Sequence, residues 1–132
     1  MTKKILKKIA ATVFMSTMLI SSVIVVNAST LKTDYGTMTY SLTKPSSNVV
    51  KASTSMPADS KTYSYVKTTL EVQDNLTGKT IYIGNTKLDY AKNTKITAIE
   101  QAKNLTSKEL AAFSCHEVVG KTAYAKYGSK VF

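Results

Sequence analysis

Over long stretches between Thr37 and Tyr127 the chain changes character at every residue, not at every third or fourth. A period of two marks a strand with one buried face, because successive side chains point to opposite sides of a pleated sheet. Met38, Tyr40 and Leu42 share one parity against Thr37, Thr39 and Ser41. Val50, Ala52, Thr54 and Met56 alternate with Lys51, Ser53 and Ser55. The longest run sets Ser64, Val66, Thr68, Leu70 and Val72 against Tyr63, Tyr65, Lys67, Thr69 and Glu71. Thr80 to Ile83, Lys95 to Ala102, Ala111 to Val119 and Thr122 to Tyr127 are further strand segments, and Leu88 to Tyr90 is a short edge piece.

Turn chemistry separates these runs. Lys44-Pro45-Ser46-Ser47, Pro57-Ala58-Asp59-Ser60 and Gly84-Asn85 all interrupt the alternation. Asp74-Asn75-Leu76-Thr77-Gly78 predicts a turn with Gly78 at positive φ. Gly120-Lys121 predicts a two-residue type II′ connection, and Gly128-Ser129 a kink after the last strand. Thr106-Ser107-Lys108-Glu109 has the spacing of a capping box, which predicts one helical turn. About seven strands spaced by turns, with little helix, predict an all-β fold: an antiparallel β-sandwich.

The first 28 residues have a different character. Lys3, Lys4, Lys7 and Lys8 precede an uncharged, mostly apolar stretch from Ile9 to Val26, and Val26-Asn27-Ala28 supplies small residues before Ser29. That order is the pattern of a secretory signal peptide. The expected division is therefore 1–28 as the signal and 29–132 as the sandwich domain, working outside the cytoplasm. The competing expectation is a retained membrane anchor, since 18 residues just reach across a bilayer.

The formal charge of the whole chain is +10. Four lysines fall within the signal, which leaves 14 against eight acids, a formal +6 for residues 29–132. All the basic residues are lysine. A lysine is a mobile point charge, whereas arginine is a planar fork that grips phosphate or carboxylate with two bonds. The composition thus favours diffuse attraction to a polyanion over precise anion recognition, and no nucleic-acid partner is expected.

The chain offers one cysteine and one histidine, Cys115 and His116. A thiol nucleophile needs a base within hydrogen-bond reach. Neighbours on a strand point to opposite faces, so these two are expected to look away from each other, with Cys115 a small buried apolar residue. A zinc site built from Cys and His lacks ligands. The acids single out no pair of the kind a glycosidase needs, and Glu71 and Glu117 read as ordinary sheet-face charges. Isolated glycines form no phosphate cradle. No catalytic residue, metal or cofactor is expected. A small hydrolase using His116 is the remote alternative.

Tyrosines are the remaining feature. Tyr63 and Tyr65 share a parity with Lys67, and Tyr124 adds another ring near the C-terminus. A tyrosine row on an open sheet face can stack on sugar rings or contact a protein, so Tyr63, Tyr65, Lys67 and Tyr124 are the expected binding residues.

Phe113-Ser114-Cys115-His116-Glu117-Val118-Val119-Gly120, followed by Thr122-Ala123-Tyr124-Ala125, resembles the C-terminal hairpin of small secreted β-sandwich proteins of Gram-positive bacteria. Gly36-Thr37-Met38-Thr39-Tyr40-Ser41-Leu42 resembles their first strand. A fainter similarity is to lactococcin-type bacteriocins, although this chain has no Trp and lacks their aromatic C-terminal run. The functional expectation is a secreted, non-enzymatic binding domain. It would be held at an anionic wall polymer by diffuse positive charge, or bind a surface protein or glycan. The alternative is a bacteriocin-like antibacterial protein.

Overall fold

The computed structural model describes residues 28–132 and, as backbone only, Ser22–Val23. The expected signal over 1–28 otherwise lies outside the described residues. The strands are β1 (Ser22–Val23), β2 (Ser29–Thr33), β3 (Gly36–Ser46), β4 (Val49–Met56), β5 (Tyr65–Asp74), β6 (Thr80–Asp89), β7 (Ile96–Ala102), β8 (Leu110–Val119) and β9 (Ala123–Val131). One sheet has the order β1-β9-β8-β5-β6 and the other β2-β3-β4-β7. All pairings are antiparallel except β1 with β9, which is parallel. Residues 29–132 thus form the expected antiparallel sandwich, with eight strands.

Alternation decides what fills the space between the sheets. Met38, Tyr40 and Leu42 on β3 and Val50, Ala52 and Met56 on β4 are buried, and so are Val66, Leu70 and Val72 on β5 and Ala112 and Val118 on β8. These are the parities picked out by the sequence pattern. Among the described residues, the members of this cluster come from residues 31–132.

Five local expectations are corrected. No helical turn forms at Thr106–Glu109. Glu109 is used instead to tie a distant turn: its carbonyl accepts from Asn75 N–H at 2.9 Å and its carboxylate from Asn75 Nδ2 at 3.3 Å. Gly84-Asn85 is not a turn, because β6 runs unbroken from Thr80 to Asp89. Pro45 does not end β3; the strand reaches Ser46 with a shift in register between Thr43 and Ser46. Gly128-Ser129 does not kink β9, whose pairing with β8 continues to Val131.

The β8–β9 connection is the fifth. Val119 pairs with Ala123, so three residues intervene where two were predicted. Gly120 is needed there for space. A Cβ at this position would lie 2.5 Å from the Tyr35 hydroxyl oxygen. That hydroxyl donates to the Thr122 carbonyl at 3.0 Å and accepts from Thr122 N–H at 2.8 Å. The Asp74 turn forms as predicted. Asp74 Oδ1 accepts from the N–H groups of Leu76 and Thr77 at 2.8 and 3.1 Å, and Gly78 sits at φ 75. Those bonds hold the Asp74 carboxyl below its ordinary pKa.

Candidate functional site

Cys115 and His116 lie on opposite faces of β8. His116 points between the sheets and is fully buried. Its Nδ1 is 2.9 Å from Thr54 Oγ1 on β4, and its Nε2 is 2.8 Å from Ser114 Oγ. Thr68 Oγ1 lies 2.6 Å from Thr54 Oγ1 and 2.8 Å from the Ala98 carbonyl oxygen. A carbonyl can only accept, and Thr68 has one proton. Every group is satisfied when Thr68 donates to Ala98, Thr54 to Thr68, Nδ1–H to Thr54, and Ser114 to Nε2. The imidazole is then neutral. Burial pushes its pKa down to about 3. The Tyr40 ring packs against it at 5.2 Å.

Cys115 faces outward into a small cluster with Ala111, Phe113 and Ala125, with Tyr127 packed against it. It is also fully buried. The thiol and the imidazole are thus separated by the sheet itself, and no thiolate–imidazolium pair can form between them.

The outward face of the β6-β5-β8-β9 sheet can be read in cross-strand rows. One runs Lys87–Lys67–Glu117–Ala125 and the next Asn85–Thr69–Cys115–Tyr127. The Lys87 ammonium sits 4.4 Å from the centre of the Tyr65 ring, a cation–π contact. Burial pushes the Glu117 carboxyl above its ordinary pKa, partly offset by the charge of Lys67. Two rows away, Glu71 is buried on this same face. Its Oε1 accepts from Thr80 Oγ1 at 2.8 Å and Gln73 Nε2 at 3.2 Å, and Oε2 has no partner. Burial raises its pKa, so it is not the ordinary surface charge the sequence implied.

The four expected binding residues do not form one row. Tyr65 and Lys67 lie side by side on the outward face described above. Tyr63 precedes β5 and is buried, so it does not share their face. Its ring meets Tyr90 edge-on at 4.9 Å and Tyr35 at 6.2 Å. Tyr124 faces the same end of the sandwich, edge-on to Tyr35 at 6.1 Å, and its hydroxyl accepts from Asp34 N–H at 3.3 Å. These rings close the end of the core, with Tyr124 half-buried. Sequence parity ran on past the start of β5 and so misplaced Tyr63.

A single carboxylate that the sequence did not single out, Glu100, lies along one side of the sandwich. Glu100 on β7 accepts from the Tyr82 hydroxyl through Oε2 and from Thr86 Oγ1 at 2.7 Å through Oε1. Both donors belong to β6, so this carboxylate joins the two sheets. Gly84 leaves it room, since a Cβ there would lie 2.8 Å from Glu100 Oε2 and 2.7 Å from the Tyr82 hydroxyl. Burial raises the Glu100 pKa. Among the described residues no group of three or more His, Cys, Asp or Glu is placed to hold a metal ion.

Compared with known proteins, the chain matches no family model, no curated protein and no solved structure.

Proposed function

We propose that residues 29–132 act as an exported, non-enzymatic binding domain, retained by diffuse positive charge at an anionic envelope polymer. One observation carries this reading. The two side chains best suited to chemistry, Cys115 and His116, are fully buried on opposite faces of β8, while every described lysine is at least partly exposed. The interior spends its polar groups on holding the sheets together. The surface carries the excess charge.

The face bearing Tyr65, Lys67 and Lys87 is the binding surface in this reading. Lysines on it attract an anionic chain without demanding a fixed geometry, and the Tyr65 ring gives a flat apolar contact beside them. Sedimentation of residues 29–132 with isolated anionic wall polymer at low salt tests the proposal. Lys67→Glu/Lys87→Glu should weaken binding several-fold more than the same exchange at Lys92 and Lys103. Equal losses at both places would remove this face from the proposal, and no binding by the parent domain would remove the polymer.

A further inference from the structure

With β1 set aside, the sheet edges are β9, β6, β2 and β7, and β9 is the longest of them that pairs with its neighbour in unbroken register; β7 has seven residues. Native edges are kept from pairing by shortness, bulges, proline, or a covering element. β2 has only five residues. The register of β6 shifts between Val72 and Gln73 of its partner strand, and its side chains are tied across to β7 through Glu100. β9 is nine residues long, contains no proline and pairs with β8 without a shift. Its outer edge already takes up an added strand: the backbone of Ser22–Val23 lies along it at Tyr127 and Gly128. Cleavage after Ala28 would remove that strand.

We propose that the β9 edge of residues 29–132 pairs antiparallel with the β9 edge of a second copy, making one continuous eight-stranded sheet across a two-fold axis. The sequence of β9 fits this register. Full-length pairing of a nine-residue strand with itself sets Tyr127 opposite Tyr127 of the other copy. Lys126 then faces Gly128, Lys130 faces Tyr124, Ala125 faces Ser129, and Ala123 faces Val131. No lysine meets a lysine directly, and each Lys130 lies against an aromatic ring, an arrangement that supports cross-strand pairing. A pairing of identical edges closes on itself and ends at a dimer. The axis runs perpendicular to the sheet, so the two Tyr65–Lys67–Lys87 faces share one side of the assembly. That would add avidity to polymer binding, but the pairing does not depend on it.

The test is the mass of residues 29–132 in solution, by sedimentation equilibrium from micromolar to hundreds of micromolar. The expected result is a monomer–dimer equilibrium. Y127K and Y127E each place like charges directly opposite across the axis and should raise the dissociation constant about tenfold or more. An equimolar mixture of the two should restore association as a mixed pair. Circular dichroism confirms that each variant retains its fold, and the unmodified domain alone still decides the proposal if one does not. A monomer at every concentration would overturn it, as would a dimer that both variants leave unchanged or a mixture that fails to associate. Salt separates this proposal from the preceding one. Lys126 lies diagonal to Lys126 of the other copy, so dimerisation should strengthen with salt while polymer binding weakens.

Discussion

Thr54 Oγ1 on β4 lies 2.9 Å from His116 Nδ1 on β8, a hydrogen bond that crosses the core from one sheet to the other. With Thr68 and Ser114 it makes a polar layer inside an otherwise apolar interior. Such a layer holds the sheets in one relative position, since sliding either sheet would strand a buried donor or acceptor at a cost of about 1–3 kcal/mol each.

The layer makes stability depend on acid. The His116 pKa is about 3 in the folded chain against 6.5 for the ordinary group. Between those values the unfolded chain binds the proton and the folded chain does not. Stability is therefore full above pH 6.5 and falls as pH drops toward 3. The slope approaches about 1.4 kcal/mol per pH unit. Glu71, Glu100 and Glu117 have raised pKa values and act in the opposite sense, gaining stability as they are protonated. Denaturant melts of residues 29–132 between pH 8 and pH 5, run beside those of His116→Gln, should show the histidine loss as the difference between the two pH profiles.

The contact between Tyr35 and Gly120 predicts non-additive mutations. Gly120→Ala forces a methyl group against the phenol and should cost about 2 kcal/mol. Tyr35→Phe removes both bonds to Thr122 and should cost about 1–2 kcal/mol. The double variant should cost somewhat less than the two together, since the hydroxyl contact is gone while the ring carbon Cζ, 2.6 Å from the added Cβ, still resists the methyl. Thermal melts of the four proteins measure this.

Glu100 predicts a second close-packed seam. Gly84→Ala would drive a methyl group into the Tyr82 hydroxyl and the Glu100 carboxylate, with an expected cost of about 1–3 kcal/mol. Hydrogen exchange should show the loss first in the β6 and β7 amides, with β8 still protected.

Cys115 should resist labelling. Its side chain is fully buried in the Phe113–Ala125 cluster, so its reaction with a small alkylating reagent should track unfolding, with the logarithm of the rate rising linearly with added denaturant. Fast labelling of the full chain in the absence of denaturant would contradict that burial.

Much of the fold was legible because alternation is a direct record of which face is buried. Val66, Thr68, Leu70 and Val72 on β5, and the opposed directions of Cys115 and His116, follow from period two alone. Side chains that work through tertiary contact were not legible. Gly84 and Gly120 look like turn residues in sequence, but the Tyr82 phenol and the Glu100 carboxylate occupy the space beside the first, and the Tyr35 phenol that beside the second. Glu109 looks like a helix cap until Asn75 arrives as its partner. Tyr63 follows the parity of β5 but lies beyond the strand, where the chain turns inward. In the candidate site, Tyr65 and Lys67 were recoverable as neighbours on one strand. Lys87, which shares their face, comes from β6, and only the register of that pair reveals it.

The most direct measurement is the ring resonance of His116, unambiguous because the chain has one histidine. Followed by NMR in folded residues 29–132 from pH 8 to pH 5, it should stay at the neutral position with the proton on Nδ1. A titration with a midpoint near 6.5 would show an imidazole open to solvent and would contradict a sealed, non-catalytic interior.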